Sequence, residues 1–394
     1  MRRRVIGKRF ALAVFAGVLT IASAACTDAA GPKETPVEQL LFLSTRDADP
    51  SRGIYRMNAD GTGIQHLTHQ SVVGSWYRLS LSRDGTRVAF SASVACGIWV
   101  MNTDGSNLTQ LTNRPGSSGE GCNNEPRWSR DGRQIAFLSN RELRQIGTTR
   151  GLYDVYVMNA DGTSPRNVSR ALGDQLGFNV EVGSWTADGR VVFQTSGDGS
   201  DFFLRRTYIV NKDGTGLRPL SSRPYDNSAF WSPDGSKVAF ISDRDGRRRL
   251  YVMNADGTGE RALTTSGPWD DHLPIWIPRF GFDPSTDAEY DPWSPDGTRI
   301  AFERWGDASG DKQVLYVINA DGSGLLRLSD NASQFNGWSP SGQRIAFTKR
   351  SWSIPAPAGI PEIFVVNADG TGLVNVTNHA AADSHAMWVS RANM

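Results

Sequence analysis

The side chains best placed to do chemistry in this chain come just before a recurring tryptophan: Asn124 and Glu125, Glu181, Asn227, Asp271 and His272, Glu289, Gln334, Asp383 and His385. They differ from one copy to the next, as groups that orient a ligand do and groups of a uniform scaffold do not. Carboxylates outnumber bases among them, and Arg78 and the two histidines are the cationic candidates nearby, so the expected ligand is a neutral or basic peptide segment, or a cation. A transition metal would need several His converging on one point. His272, His379 and His385, with Asp270, Asp271 and Asp383, are the one set that could do this. Polar lining of a wet channel accounts for the same residues, and no metal or cofactor is expected.

Two further patterns carry chemistry in other contexts. The phrase Asp60-Gly61-Thr62 and its copies resemble part of a calcium loop, but the further oxygen ligands and the terminal bidentate Glu are missing, so the phrase reads as a turn. Cys96 and Cys122 are expected to form a disulfide if the chain is exported to an oxidising compartment. There is no P-loop or dinucleotide glycine pattern in a β-α context. A formal net charge of +1, with no basic face, gives no reason to expect nucleic acid as a partner.

The elements that position these residues are repeats. One phrase, an apolar strand ending in NADGT, occurs as IYRMNADGT ending at Thr62, IWVMNTDGS at Ser106, VYVMNADGT at Thr163, YIVNKDGT at Thr215, LYVMNADGT at Thr258, LYVINADGS at Ser323 and IFVVNADGT at Thr371. The other, WSPDG followed by a charged residue and I/V-AF, occurs as LSRDGTRVAF from Leu81, WSRDGRQIAF from Trp128, WTADGRVVF from Trp185, WSPDGSKVAF from Trp231, WSPDGTRIAF from Trp293 and WSPSGQRIAF from Trp338. Each is a strand, a four-residue turn and a second strand, with Ser or Asn opening the turn and Gly closing it. Two such hairpins make a four-stranded antiparallel sheet of about 45 residues, the size of a propeller blade. Seven NADG hairpins therefore predict an all-β, seven-bladed β-propeller over residues 39–394. The chain enters on LLFLST without a preceding WSPDG strand and ends on HAMWVS, a first strand with no second; pairing the two ends would complete one blade and close the ring. The strand tryptophans, including Trp388, read as packing between blades.

In this arrangement the uniform SPDG and NADG turns share one face, which reads as scaffolding. The opposite face carries connections that differ from blade to blade, over residues 141–152, 196–205, 304–313, 351–361 and above all 266–291, with Trp269, Trp276, Phe280 and Phe282. That face, and the channel mouth it surrounds, is the expected binding face.

Ahead of the repeats, Arg2, Arg3, Arg4, Lys8 and Arg9 precede an apolar stretch from Phe10 to Ile21 and the small residues Ala22 to Ala25. Residues 1–25 read as a secretory signal peptide and 26–38 as a flexible tether. Cleavage after Ala22-Ser23-Ala24 and lipid attachment at Cys26 remain alternative processing routes. No later run is long and apolar enough to span a bilayer as a helix.

The alternating WSPDG and NADGT phrases resemble those of the TolB-like propellers with their WD-like repeats, over nearly all of residues 39–394. The resemblance implies a monomeric periplasmic or envelope-anchored scaffold that binds a protein or peptide partner. TolB itself carries a separate α/β domain before a six-bladed propeller, so the resemblance is to the propeller alone and here includes one blade more. The chain has no G-x-S-x-G nucleophile elbow and few histidines, so it is not expected to be an enzyme. The alternative is a carbohydrate-binding or carbohydrate-active propeller similar to oligogalacturonate lyases, with aromatic residues stacked on sugar faces.

Overall fold

The computed structural model describes residues 38–389 apart from 48–52, 69–77, 93–95, 113–120, 147–148, 177–179, 197–204, 222, 224–225, 266, 275–289, 307–312, 330–332 and 351–359. All described residues fall within the compact unit Pro36–Met394. The leader, Cys26, Glu289 and most of the 266–291 insertion lie outside them.

Seven four-stranded antiparallel sheets form the ring of a β-propeller. Their innermost strands, in ring order, are Asp383–Val389, Arg78–Leu81, Asn123–Trp128, Val180–Trp185, Asn227–Trp231, Asp270–His272 and Ser333–Trp338, in blades 1 to 7. Blade 1 takes its inner strand from the C-terminal end and its other three from the start of the repeats; Leu40 sits opposite Trp388 and Leu41 opposite Met387. In blade 6 the long insertion interrupts the inner strand, and Trp293 re-joins the sheet through an isolated bridge to Ile300.

The repeat chemistry explains this geometry. In the NADG turns Asp60 Oδ1 accepts from both the backbone N and the Oγ1 of Thr62, at 2.9 and 2.7 Å, and the N–H of Gly61 donates to the carbonyl of Asn58. The same carboxylate–hydroxyl clasp recurs at Asp104, Asp161, Asp213, Asp256, Asp321 and Asp369. These hydrogen bonds lower the pKa of each carboxyl and commit it to the turn. Gly61 needs its lack of a side chain twice over: its φ is +86°, and a Cβ there would lie 2.4 Å from the carbonyl oxygen of Val376 in the neighbouring blade.

The core lies between blades. The phenylalanine of each blade's second strand is buried and faces an aromatic residue on the next strand, as in Phe42–Tyr55, Phe137–Tyr156, Phe193–Tyr208 and Phe302–Tyr316, with ring centroids 5.6 to 5.7 Å apart. The inner-strand tryptophans tie successive blades together. The indole N–H of Trp185 donates to the Arg127 carbonyl, Trp293 to Phe230, Trp338 to Pro292 and Trp388 to Gly337, at 2.9 to 3.1 Å. Arginines at the start of second strands stack on the next blade's indole: Arg87 on Trp128, Arg299 on Trp338 and Arg344 on Trp388, at 4.4 to 5.1 Å.

Candidate functional site

The central channel has two different ends. On the loop face, register sets Asn124, Glu181, Asn227 and Gln334 at one level, each four residues before a tryptophan. Asn124, Glu181 and Gln334 are half-buried, and Asn227 lies opposite Ile241 in the sheet. One residue further along, Glu125 is buried: it pairs with Arg78 Nη1 at 3.1 Å and accepts the backbone N–H of Val182 in the next blade at 3.3 Å. Burial raises its carboxyl pKa and Glu181 adds to the rise, against the guanidinium groups of Arg78 and Arg127.

Other residues expected at this mouth are engaged inside their blades. Asp383 is fully buried and bonded to Arg46 at 2.8 Å; Asp271 is fully buried and accepts from Arg304 Nε at 2.7 Å. Both belong to a repeated device. An arginine near the end of the second strand stacks on the aromatic pair and reaches a polar group at the start of the inner strand, as Arg46 does to Asp383, Arg141 to Asn123, Arg244 to Asp226 and Arg304 to Asp271. Burial pushes both Asp271 and Asp383 upward in pKa, and their arginines oppose the shift. His385 is buried with its Nδ1 2.7 Å from Ser384 Oγ, and His272 packs near Trp305 with its pKa lowered by burial to about 3, so it is neutral at pH 7. His379 sits apart, at the approach to blade 1, where its backbone N–H meets Glu362. Among the described residues no group of three or more His, Cys, Asp or Glu is arranged to hold a metal ion.

Opposite His272 across the sheet is Glu303, which the sequence reading overlooked. Glu303 accepts the backbone N–H of Phe335 at 2.9 Å and the amide of Gln313 at 2.6 Å, and burial raises its pKa to about 7. Cys96 and Cys122 are joined, with Cα atoms 4.4 Å apart, and the disulfide connects blades 2 and 3 on the loop face.

The turn face, read from the sequence as scaffolding, also encloses space. A cavity of about 640 Å³ occupies this end of the channel, ringed by the inner tryptophans and the SPDG turns. In blades 5, 6 and 7 those turns carry Pro233, Pro295 and Pro340; in blades 2 and 3 the same place holds Arg83 and Arg130. Arg130 spans the mouth, donating to the carbonyls of Trp185 in blade 4 and of Trp231, Ser232 and Pro233 in blade 5 at 3.0 to 3.2 Å. Arg83 reaches the same Pro233 carbonyl from blade 2 at 3.4 Å. Asp291 lines the cavity with its side chain wet but walled in by the surrounding blades, and that enclosure pushes its carboxyl upward against the two arginines.

Comparison with known proteins follows the repeats. The chain is 31% identical over 178 residues to a protein TolB homolog of Chlorobium luteolum, an alignment covering 45% of this chain and 34% of that protein. The propeller is TolB-like. The chain spans about a third of the length of that curated relative, and no family model matches it. Among solved structures, a puromycin hydrolase superposes with a TM-score of 0.64 at 15% identity, covering 88% of this chain and 53% of that one. An oligogalacturonate lyase from Vibrio parahaemolyticus superposes with a TM-score of 0.58 at 15% identity, covering 83% and 85%. At such identities the likeness is one of fold. It nevertheless corrects the expectation that this TolB-like chain is not an enzyme, because propellers of this shape occur within a hydrolase and a lyase, and the architecture leaves catalysis open.

Proposed function

We propose that this TolB-like propeller is exported and, in the periplasm or cell envelope, holds a peptide segment of a protein partner at the loop-face mouth of its channel. The observation that carries this reading is backbone strain on the channel wall. Glu125, Ser228 and His385 stand three residues before the tryptophan in blades 3, 5 and 1, with φ of +53°, +57° and +60°. A non-glycine residue held there costs on the order of 1 kcal/mol or more. The fold does not demand it, since Val182 and Phe335 occupy the same place in blades 4 and 7 without a positive φ. The inner strands of blades 4 and 7 are bulged at this level too, so the positive φ, not the bulge, sets blades 1, 3 and 5 apart. All three side chains are buried, so the strain shapes the wall that carries the half-buried Asn124, Glu181 and Gln334 one level outward.

Half-buried Asn124, Glu181 and Gln334 at the adjoining level supply hydrogen-bonding groups, and the carboxylate of Glu181 favours a basic or neutral segment. The likeness to a TolB homologue supports a protein as the partner and the envelope as the place. The leader and the Cys26 lipidation site belong to the same proposal.

Glu181→Gln combined with Gln334→Ala tests this reading, because both residues are half-buried at the mouth and both changes are small. The double variant should keep the parental melting temperature and lose most of its capture of a partner from envelope extracts, and the parental capture should weaken at high salt. Undiminished capture by the folded double variant would refute the site.

A further inference from the structure

We propose that the turn-face cavity is a second binding site, independent of the loop-face mouth, and that Arg83 and Arg130 make it selective for a small carboxylate. Three observations lead there. The cavity, about 640 Å³, lies within the range of about 300–1,000 Å³ typical of small-molecule sites. Its wall combines indole edges with arginines, and two of these, Arg83 and Arg130, stand at the turn position where blades 5, 6 and 7 have proline. The turn itself does not need them.

The charge balance is the third observation. Every hydrogen bond that Arg83 and Arg130 make with a described residue goes to a backbone carbonyl, and among the described residues neither forms an ion pair. The turn carboxylates nearest to them are committed elsewhere: Asp84 accepts from Ser82 and Thr86, and Asp234 from Ser232 and Ser236. Asp291, the remaining acid of the cavity, accepts the backbone N–H of Trp293 at 3.0 Å. Arg130 is held rigidly by its carbonyl contacts, whereas Arg83 makes a single long one and keeps donors for a ligand. A planar guanidinium with spare N–H groups, beside a second cation and apolar ring edges, suits a carboxylate taken bidentately, with its organic part against the indoles. An amine would meet two like charges.

Calorimetric titration of the full chain with benzoate, its neutral isostere benzamide and benzylamine tests this. Benzoate should bind, and the other two should bind at least tenfold more weakly. Arg83→Pro, which restores the proline of the sibling turns and should therefore fold, should weaken benzoate binding at least tenfold. Asp291→Asn, which removes the opposing charge, should tighten it. Thermal melts establish that each variant is folded, and Glu181→Gln at the other end should leave benzoate binding unchanged, so failure of this site and failure of the loop-face reading are told apart. Equal binding of benzoate and benzamide, no benzoate binding at all, or full benzoate affinity in folded Arg83→Pro would overturn the assignment.

Discussion

The two ends of the channel use charge in opposite ways. At the loop face Asp271, Asp383 and Glu125 are matched to Arg304, Arg46 and Arg78 within or beside their blades. At the turn face Arg83 and Arg130 are held by carbonyls, and among the described residues neither forms an ion pair, Asp291 acting on them only from a distance. In a repeat protein the charged groups that obey the repeat brace the blades, and those that depart from it are free to define a site. The same rule separates Asp383, which serves the recurring arginine device, from Glu181, which does not.

The largest effect that would break this comparison is loss of closure. Removing residues 383–394 strips blade 1 of its inner strand and of Trp388, exposing the edge of the Gln39–Ser44 strand and the flank of blade 7. The truncated chain should aggregate or melt far below the parent in a thermal scan; an unchanged melting temperature would mean that the ring does not depend on its two ends.

Next comes the bracing device. Arg304→Met leaves Asp271 buried without its cation, which should cost about 3–5 kcal/mol in denaturant unfolding. Arg83→Met, at the other end, should cost well under that, since Arg83 is exposed and makes one long contact. Similar costs for the two would erase the distinction between bracing and site arginines.

Reduction of the Cys96–Cys122 bridge, or Cys122→Ser, should lower stability by about 3 kcal/mol in the chain-entropy view of a loop of this size. An equal unfolding midpoint with and without reductant would show that the link between blades 2 and 3 contributes nothing.

An effect confined to one pH window concerns Glu303. Glu303 has a folded pKa of about 7, above its ordinary 4.5, so the folded state holds its proton more tightly. That contribution is complete below the unfolded value of 4.5 and is lost as pH rises through about 7, at roughly 1.4 kcal/mol per unit of separation. His272 acts in the other direction: lowered from 6.5 to about 3, its contribution is present above 6.5 and lost as pH falls through about 3. Glu303→Gln should flatten the decline of stability between pH 4.5 and 7 and leave the acid limb. A decline of equal steepness in that variant would assign it to other groups.

The fold was legible because its determinants are local and repeated. Asn58, Asp60, Gly61 and Thr62 close their hairpin by contacts within five residues, and seven copies count the blades. The closing of blade 1 was legible too, because the orphan strands at the two ends match. What Asp271 and Asp383 do was less so: their partners Arg304 and Arg46 are 33 and 337 residues away, and nothing in the sequence around either aspartate names the arginine. The turn-face site left a signal that was readable and passed over. Arg83 and Arg130 stand in the sequence as departures from Ser-Pro-Asp-Gly, but both residue types suit the turn, so the departure looked neutral until the side chains were seen crossing the channel. Absence of a nucleophile elbow was a poor guide to activity, since one motif speaks for one chemistry.

The central claim, that a protein partner docks at the loop-face mouth, is tested most directly by placing a photo-crosslinking amino acid at Gln334 on that face and, separately, at Pro340 on the turn face, and irradiating intact cells. A discrete higher-mass adduct from position 334 and none from position 340 is the result predicted here; an adduct from position 340 alone would place the partner on the wrong end of the channel and contradict the account.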